Sequence, residues 1–283
     1  MSVLDALILG LVQGLTEFLP VSSSGHLVLM QHYLGVRQIG LSFDVLVHLA
    51  TLLAVVVYFW PDVKKLVIAF FSIIRGALGS RSARRTRLDA ESRVYRRLVW
   101  MVILGAIPAA LAGFFLEDFF KKLFESVLVV GLALMATGLI LWGAEWLQGQ
   151  KQRRRELGAM TSLDALLIGI GQAVAIIPGI SRSGTTIATA LARGLDRVAA
   201  ARYSFLLSLP VIFGAGLLQA RDILKVGVEY SWQALAVGGV ASFVAGLLAI
   251  RVLMAVLERS KLTIFSYYCW ALGLVVVLTQ LAK

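Results

Sequence analysis

Residues 3–34 read VLDALILGLVQGLTEFLPVSSSGHLVLMQHYL, and this stretch decides the fold. Residues 3–19 are apolar but stop at Pro20 and the polar run Ser22-Ser23-Ser24-Gly25, and only about eight apolar residues follow, from Leu27 to Leu34. A helix needs about 20 apolar residues to cross the hydrocarbon core. Half-helices of about 8–15 residues, rising 1.5 Å each, reach only partway. A second stretch behaves the same way. Residues 162–177 stop at Pro178-Gly179, pass through Ser181-Arg182-Ser183-Gly184, and resume from Thr185 to about Arg193. Each stretch predicts a re-entrant helical hairpin whose polar turn sits at depth, where protein or a water-filled cavity must satisfy its backbone.

The two stretches also resemble each other. Asp5 to Gln13 (DALILGLVQ) aligns with Asp164 to Gln172 (DALLIGIGQ) at an offset of 159. The Pro-x-Ser-Ser-Ser-Gly turn at 20–25 then faces Pro-Gly-Ile-Ser-Arg-Ser-Gly at 178–184 with a one-residue adjustment. Three longer apolar spans follow each stretch. Three is odd, so the halves take opposite orientations in the membrane. Paired, Gly/Pro-interrupted segments in corresponding halves point to a site between inverted repeats.

Working outward, the whole composition agrees with a membrane protein. Of 283 residues 59% are apolar and 15% charged, against about 45–50% and about 25% in a soluble domain. Soluble enzyme, disulfide scaffold and disordered linker are excluded. The net charge of +11 raises nucleic acid as a partner, but its distribution argues against it. Residues 61–97 carry +7 and residues 148–160 carry +3, so two loops flanking apolar spans hold ten of the eleven excess charges. That is the positive-inside pattern of cytoplasmic loops. The single cysteine, Cys269, excludes an intramolecular disulfide and reads as a small apolar residue in a span. The N-terminus lacks a basic region and does not read as a cleaved signal peptide.

Full spans are expected at roughly 42–60, 98–116, 126–147, 203–220, 232–256 and 262–282. With both basic loops cytoplasmic, the N- and C-termini and the first hairpin lie outside. The fold class is therefore an all-α polytopic membrane protein of two inverted-topology repeats: six transmembrane helices plus two re-entrant helical hairpins. Residues 1–150 make the first repeat, including the basic loop 61–97, and residues 160–283 the second, within one integral membrane domain.

Ionisable groups in apolar segments default to functional hypotheses. Glu17 is the only acid in residues 6–35, and Arg182 the only charge in residues 165–192. Gln13 and Glu17 share a helix face, one turn before the serines. The repeat is chemically lopsided: the counterpart of Glu17 is about Ile176, and that of Arg182 about Ser23. After Ser24-Gly25 and Ser183-Gly184 a helix restarts, so unpaired N–H groups point into the turn and glycine admits a close ligand. Ser22, Ser24, Gly25, Ser181, Ser183, Gly184, Thr185 and Thr186 are thus candidate phosphate contacts. With Arg182 as a bidentate clamp they suit a diphosphate. Glu17 would repel that anion unless a divalent cation, Mg²⁺ or Ca²⁺, lies between them, held by Glu17 and Gln13. Each feature has a plainer reading. The serines can be caps, Glu17 the structural partner of Arg182, and Gln13 an interhelical bond. His32 and His48 read as structural, since neither sits in such a turn.

Gln13-x-x-x-Glu17 followed by Phe18-Leu19-Pro20-Val21-Ser22-Ser23-Ser24-Gly25-His26 resembles the N-terminal signature of the undecaprenyl-diphosphatase, or bacitracin-resistance, family. Pro178-Gly179-Ile180-Ser181-Arg182-Ser183-Gly184-Thr185-Thr186 resembles its second signature, and the likeness extends through Phe43-Asp44 to Trp60 and from Arg202 onwards. The resemblance implies a plasma-membrane phosphatase that removes the terminal phosphate of undecaprenyl diphosphate, with its site on the outer side. By that resemblance Glu17 is the essential acid, Ser23 the serine of phosphate transfer, His26 an acid/base and Arg182 the phosphate-binding arginine. Gln13 is the neutral option at its position, and Ser24 stands where threonine is common. Membrane lipids and a homodimer are the other expected partners, and nucleic acid is not one. The rival reading is a polyprenyl-phosphate flippase, alone or alongside the chemistry.

Overall fold

The structure, a computed structural model, describes residues 1–34, 40–77, 90–150, 154–226, 230–259 and 261–282. Among them are a 3₁₀ turn at Leu157–Ala159 and twelve α-helices: α1 (Val3–Phe18), α2 (Ser23–Leu34), α3 (Leu41–Tyr58), α4 (Trp60–Ala77), α5 (Ala90–Phe115), α6 (Glu117–Phe124), α7 (Val127–Gly149), α8 (Ser162–Val174), α9 (Arg182–Ala192), α10 (Arg197–Val226), α11 (Trp232–Arg259) and α12 (Thr263–Leu281). Six of them, α3, α5, α7, α10, α11 and α12, are long and apolar enough to cross a membrane. They coincide with the six expected spans. Many of their large apolar side chains face outward, such as Phe114, Leu139, Leu218 and Val275. That is the surface lipid requires.

Two extents differ from the sequence reading. Segment 61–97 is not all loop, because α4 occupies its start and α5 already begins at Ala90. Asp62 of α4 is buried and paired with Arg202 and the Tyr95 hydroxyl, which ties this charged stretch to the helix bundle. Arg81, Arg84, Arg85, Arg87, Lys151 and Arg153 lie outside the described residues. The short helix α6 is the other addition. It carries acids in its first turn and lysines in its last, as the helix dipole favours.

Both interrupted stretches are helix–turn–helix units, α1–α2 and α8–α9. They start alike. Ser2 caps α1, accepting from the Asp5 N–H while Asp5 accepts from the Ser2 N–H; Thr161 and Asp164 repeat this capping box on α8. They also restart alike. Ser22 Oγ accepts the Gly25 N–H at 3.2 Å and Ser181 Oγ the Gly184 N–H at 3.0 Å. The turns therefore align through their caps at the same offset of 159 as the helices, with Gly179 opposite Pro20.

The packing is paired too. α1 lies along α11 and α8 along α5. A Cβ on Gly10 would stand 2.3 Å from Gly238 O, and one on Gly169 would stand 2.4 Å from Gly105 O, so both crossings need a bare backbone. Thr137 on α7 donates to Gly179 O at 2.9 Å, and the Cys269 thiol on α12 donates to Pro20 O at 3.7 Å. Each turn is thus pinned from the other half.

Two buried acids tie the chain around the start of α10 to the bundle. Glu145 accepts two bonds from Arg197 and one from the Leu262 N–H. Asp164, fully buried, binds Arg155 and Arg193, both at 2.8 Å. Burial pushes its carboxyl upward, but Arg155, Arg193 and the Thr161 cap outweigh that and hold it well below the ordinary 3.8.

Candidate active site

α1 places Gln13 and Glu17 one turn apart on its buried face, and the Gln13 amide donates to Glu17 Oε2 at 2.9 Å. The chain then turns through Pro20, and α2 restarts so that Ser23 Oγ donates to the same oxygen at 2.6 Å. From the other hairpin, the first residue of α9 reaches back: Arg182 Nη2 donates to Glu17 Oε1 at 2.6 Å. Ser183 Oγ also donates to Leu19 O at 3.1 Å. One buried carboxylate therefore joins the first hairpin to an arginine of the second, 165 residues away in the chain.

These groups form the polar wall of a cavity of about 310 Å³, with Ser22, Ser24 and Ser181 beside Glu17, Ser23 and Arg182. Val45, Leu49, Ile176, Ile212 and Phe124 supply apolar walls. Arg182 Nη1 and Gln13 Oε1 are buried without a hydrogen-bond partner. An unpaired guanidinium nitrogen beside a cavity costs stability unless an acceptor completes it. Phosphate oxygen is the natural acceptor.

Ser22 is the one described non-glycine residue with positive φ, at 69°. Such a conformation costs about 1–3 kcal/mol and concentrates at functional sites. His26 explains how it persists. Its Nδ1 donates to Ser22 O at 2.8 Å, while Nε2 accepts from the Tyr268 hydroxyl at 2.6 Å against a stacked ring. Both nitrogens are engaged, and the side chain is not part of the cavity wall.

The imidazole that does line the cavity is His48 on α3, whose Nε2 lies 3.9 Å from Glu17 Oε2. Its Nδ1 donates to Asp44 O at 2.8 Å, and Asp44 lines the cavity as well. The sequence reading gave His48 a structural role. Its signal was present nonetheless: Asp44 and His48 sit four residues apart in an apolar span.

The other phosphate candidates are placed differently. Thr186 Oγ1 bonds Arg182 O and Ser204 Oγ inside the bundle. Thr185 Oγ1 is buried and unpaired. A Cβ at Gly25 would stand 3.2 Å from Gly179 Cα, and one at Gly184 would stand 3.2 Å from Pro20 Cβ. These glycines make room for the opposing turn.

Among the described residues no group of three His, Cys, Asp or Glu side chains forms a metal cage. The carboxylates that line the cavity are Glu17 and Asp44, while the orphaned Gln13 Oε1 lies buried behind Glu17 and outside the cavity wall.

The family described as "Bacitracin resistance protein BacA" matches residues 6–275. The chain is 42% identical to a protein named undecaprenyl-diphosphatase from Halothermothrix orenii, over 98% of both chains. A protein of the same name from Alkaliphilus metalliredigens is 39% identical over 99% of this chain and all of its own. Another, from Carboxydothermus hydrogenoformans, is 42% identical over all of this chain and 99% of its own.

Proposed function

This chain belongs to the bacitracin-resistance family, and from that premise we propose that it is a multi-pass membrane phosphatase acting on undecaprenyl diphosphate. It yields undecaprenyl phosphate and inorganic phosphate, recycles the lipid carrier for cell-wall synthesis and confers bacitracin resistance. The observation that carries the reading is the Glu17–Ser23–Arg182 cluster, built by two hairpins against a cavity, with a guanidinium nitrogen left unpaired.

The terminal phosphate enters the cavity against Arg182 and the α2 N-terminus. Arg182 Nη1 takes a phosphate oxygen while Nη2 stays on Glu17, so the fork is aimed before substrate arrives. Charge that builds on the transferring phosphoryl group is stabilised by fixed donors, the main catalytic resource of phosphoryl transfer. Ser23 either attacks phosphorus in line or positions the attacking water. In both routes Glu17 accepts the proton through its short bond to Ser23. The P–O bond to the bridging oxygen breaks, and the lipid monophosphate leaves. If Ser23 is the nucleophile, water then cleaves the phosphoserine. His26, an acid/base in the sequence reading, is here a positioning residue that holds the strained Ser22 carbonyl. A divalent cation, Mg²⁺ or Ca²⁺, would be held by Glu17 with Gln13 behind it. When bound it would neutralise diphosphate charge.

The paired crossings of Gly10 and Gly169 and the paired pins from Thr137 and Cys269 support an inverted repeat with two re-entrant hairpins. The same pairing favours the second reading, translocation of the lipid phosphate, by itself or with hydrolysis. The basic loops support a plasma-membrane orientation with the cavity and both termini outside. A homodimer belongs to the proposal and is tested by light scattering in detergent.

Phosphate release from undecaprenyl diphosphate by the purified protein, in detergent and in lipid, with Mg²⁺, Ca²⁺ or EDTA, is the test. Metal-dependent release is expected. No release from well-folded protein in either medium would remove the phosphatase reading in favour of transport.

A further inference from the structure

We propose that the polyprenyl chain of the substrate lies in an apolar groove between α3, α10 and α11 and reaches the polar cavity across the ridge of Val45 and Leu49. This assignment rests on the phosphatase reading above. The groove has a volume of about 730 Å³ and is apolar apart from Ser42 and the indole of Trp232. Val45 and Leu49 line both it and the polar cavity, so the two spaces share one wall.

The helical period of α3 explains the division. Asp44 and His48 face the polar cavity, Leu46 and Leu53 face the groove, and Val45 and Leu49 stand on the boundary. Small residues open the opposite side. Ala236 and Gly239 of α11 line it there, and a Cβ on Gly239 would lie 3.6 Å from Leu46. The rim opens to the membrane, with Leu53, Val240 and Trp232 exposed by 52%, 64% and 77%. From Ser42 to Leu53 the groove follows α3 for about 16 Å, roughly half the hydrocarbon thickness.

A single amphiphile explains both spaces together. Its diphosphate sits among Arg182 and the serines, and its isoprenoid chain runs down α3 without crossing water.

The test compares kcat/KM on undecaprenyl diphosphate with that on a short-chain diphosphate such as farnesyl diphosphate. Gly239→Leu and Ala236→Trp fill the groove away from the phosphate site. Each is expected to lower the long-to-short ratio at least tenfold. Leu132→Trp, on an exposed face of α7, is expected to leave the ratio unchanged. Photocrosslinking of wild type with a diazirine-tailed undecaprenyl diphosphate, which needs no variant to fold, is expected to label residues 232–243 and α3. An unchanged ratio in both groove variants, or labelling confined to α7 and α12, overturns the groove. If wild type hydrolyses neither lipid, the phosphatase reading fails and the groove fails with it.

Discussion

The α1–α2 and α8–α9 hairpins share a frame of caps and crossings, but their turn backbones differ, Ser22 at φ 69° against Ser181 at −71°, and so does their chemistry. Each opens with a capping box, restarts on a serine cap, crosses a long helix through a glycine and is pinned by a donor from the other half. Yet Glu17 stands where the second hairpin has Ile176, and Ser23 where it has Arg182. The two units share a frame, and a few side chains set them apart. The outer ends differ in the same way. Asp164 is buried between two arginines, whereas Asp5 bonds its own cap residue, Ser2.

Breaking the chemical asymmetry has the largest expected effect. Arg182→Ala removes the guanidinium that meets Glu17 and should lower kcat/KM about 100- to 1,000-fold, as lost transition-state donors do. Arg182→Lys keeps the charge but not the fork and should recover only part. Retained turnover in a folded Arg182→Ala protein would dissolve the functional difference between the hairpins.

Next comes the buried end of the second hairpin. Asp164→Asn leaves Arg155 and Arg193 without their carboxylate and should cost about 3 kcal/mol in unfolding free energy. Because the folded carboxyl titrates below 3.8, its contribution is complete above that value and is lost as pH falls through the lowered one. The gap in thermal midpoint between wild type and Asp164→Asn should therefore hold from about pH 8 to about pH 5 and close only below about pH 4. A gap that closes near neutrality would contradict the ion pairs.

Smaller effects test the shared frame. Gly10→Ala and Gly169→Ala each force a methyl onto a carbonyl of the crossing helix and should cost about 1–3 kcal/mol. Similar losses at the two sites would sharpen the structural equivalence, and a loss at only one would break it. Asp5→Asn should move the midpoint least, since its carboxylate meets only Ser2 among the described contacts.

Much of this was legible beforehand because the signals are local. Six apolar runs, two interrupted stretches, the offset of 159 and the pairing of Gln13 with Glu17 all follow from hydropathy, helix period and helix breakers. Glu17, Ser23 and Arg182 stood out as polar groups in apolar surroundings. The helical part of 61–97 was less legible, because basic residues also mark loops at the membrane surface. Asp62, buried against Arg202, gives α4 its place.

Sequence alone determined the spans, the two interrupted stretches and the lopsided distribution of acid and base, because each depends on residues within a few helical turns. Tertiary structure decided which of them meet. It turned His26 toward Tyr268, brought His48 to the cavity, gave Gly25 and Gly184 to the opposing turn, and joined Glu17 to an arginine 165 residues away. Helix period fixes which face a side chain occupies, but only the packing of one helix on another fixes what that face touches.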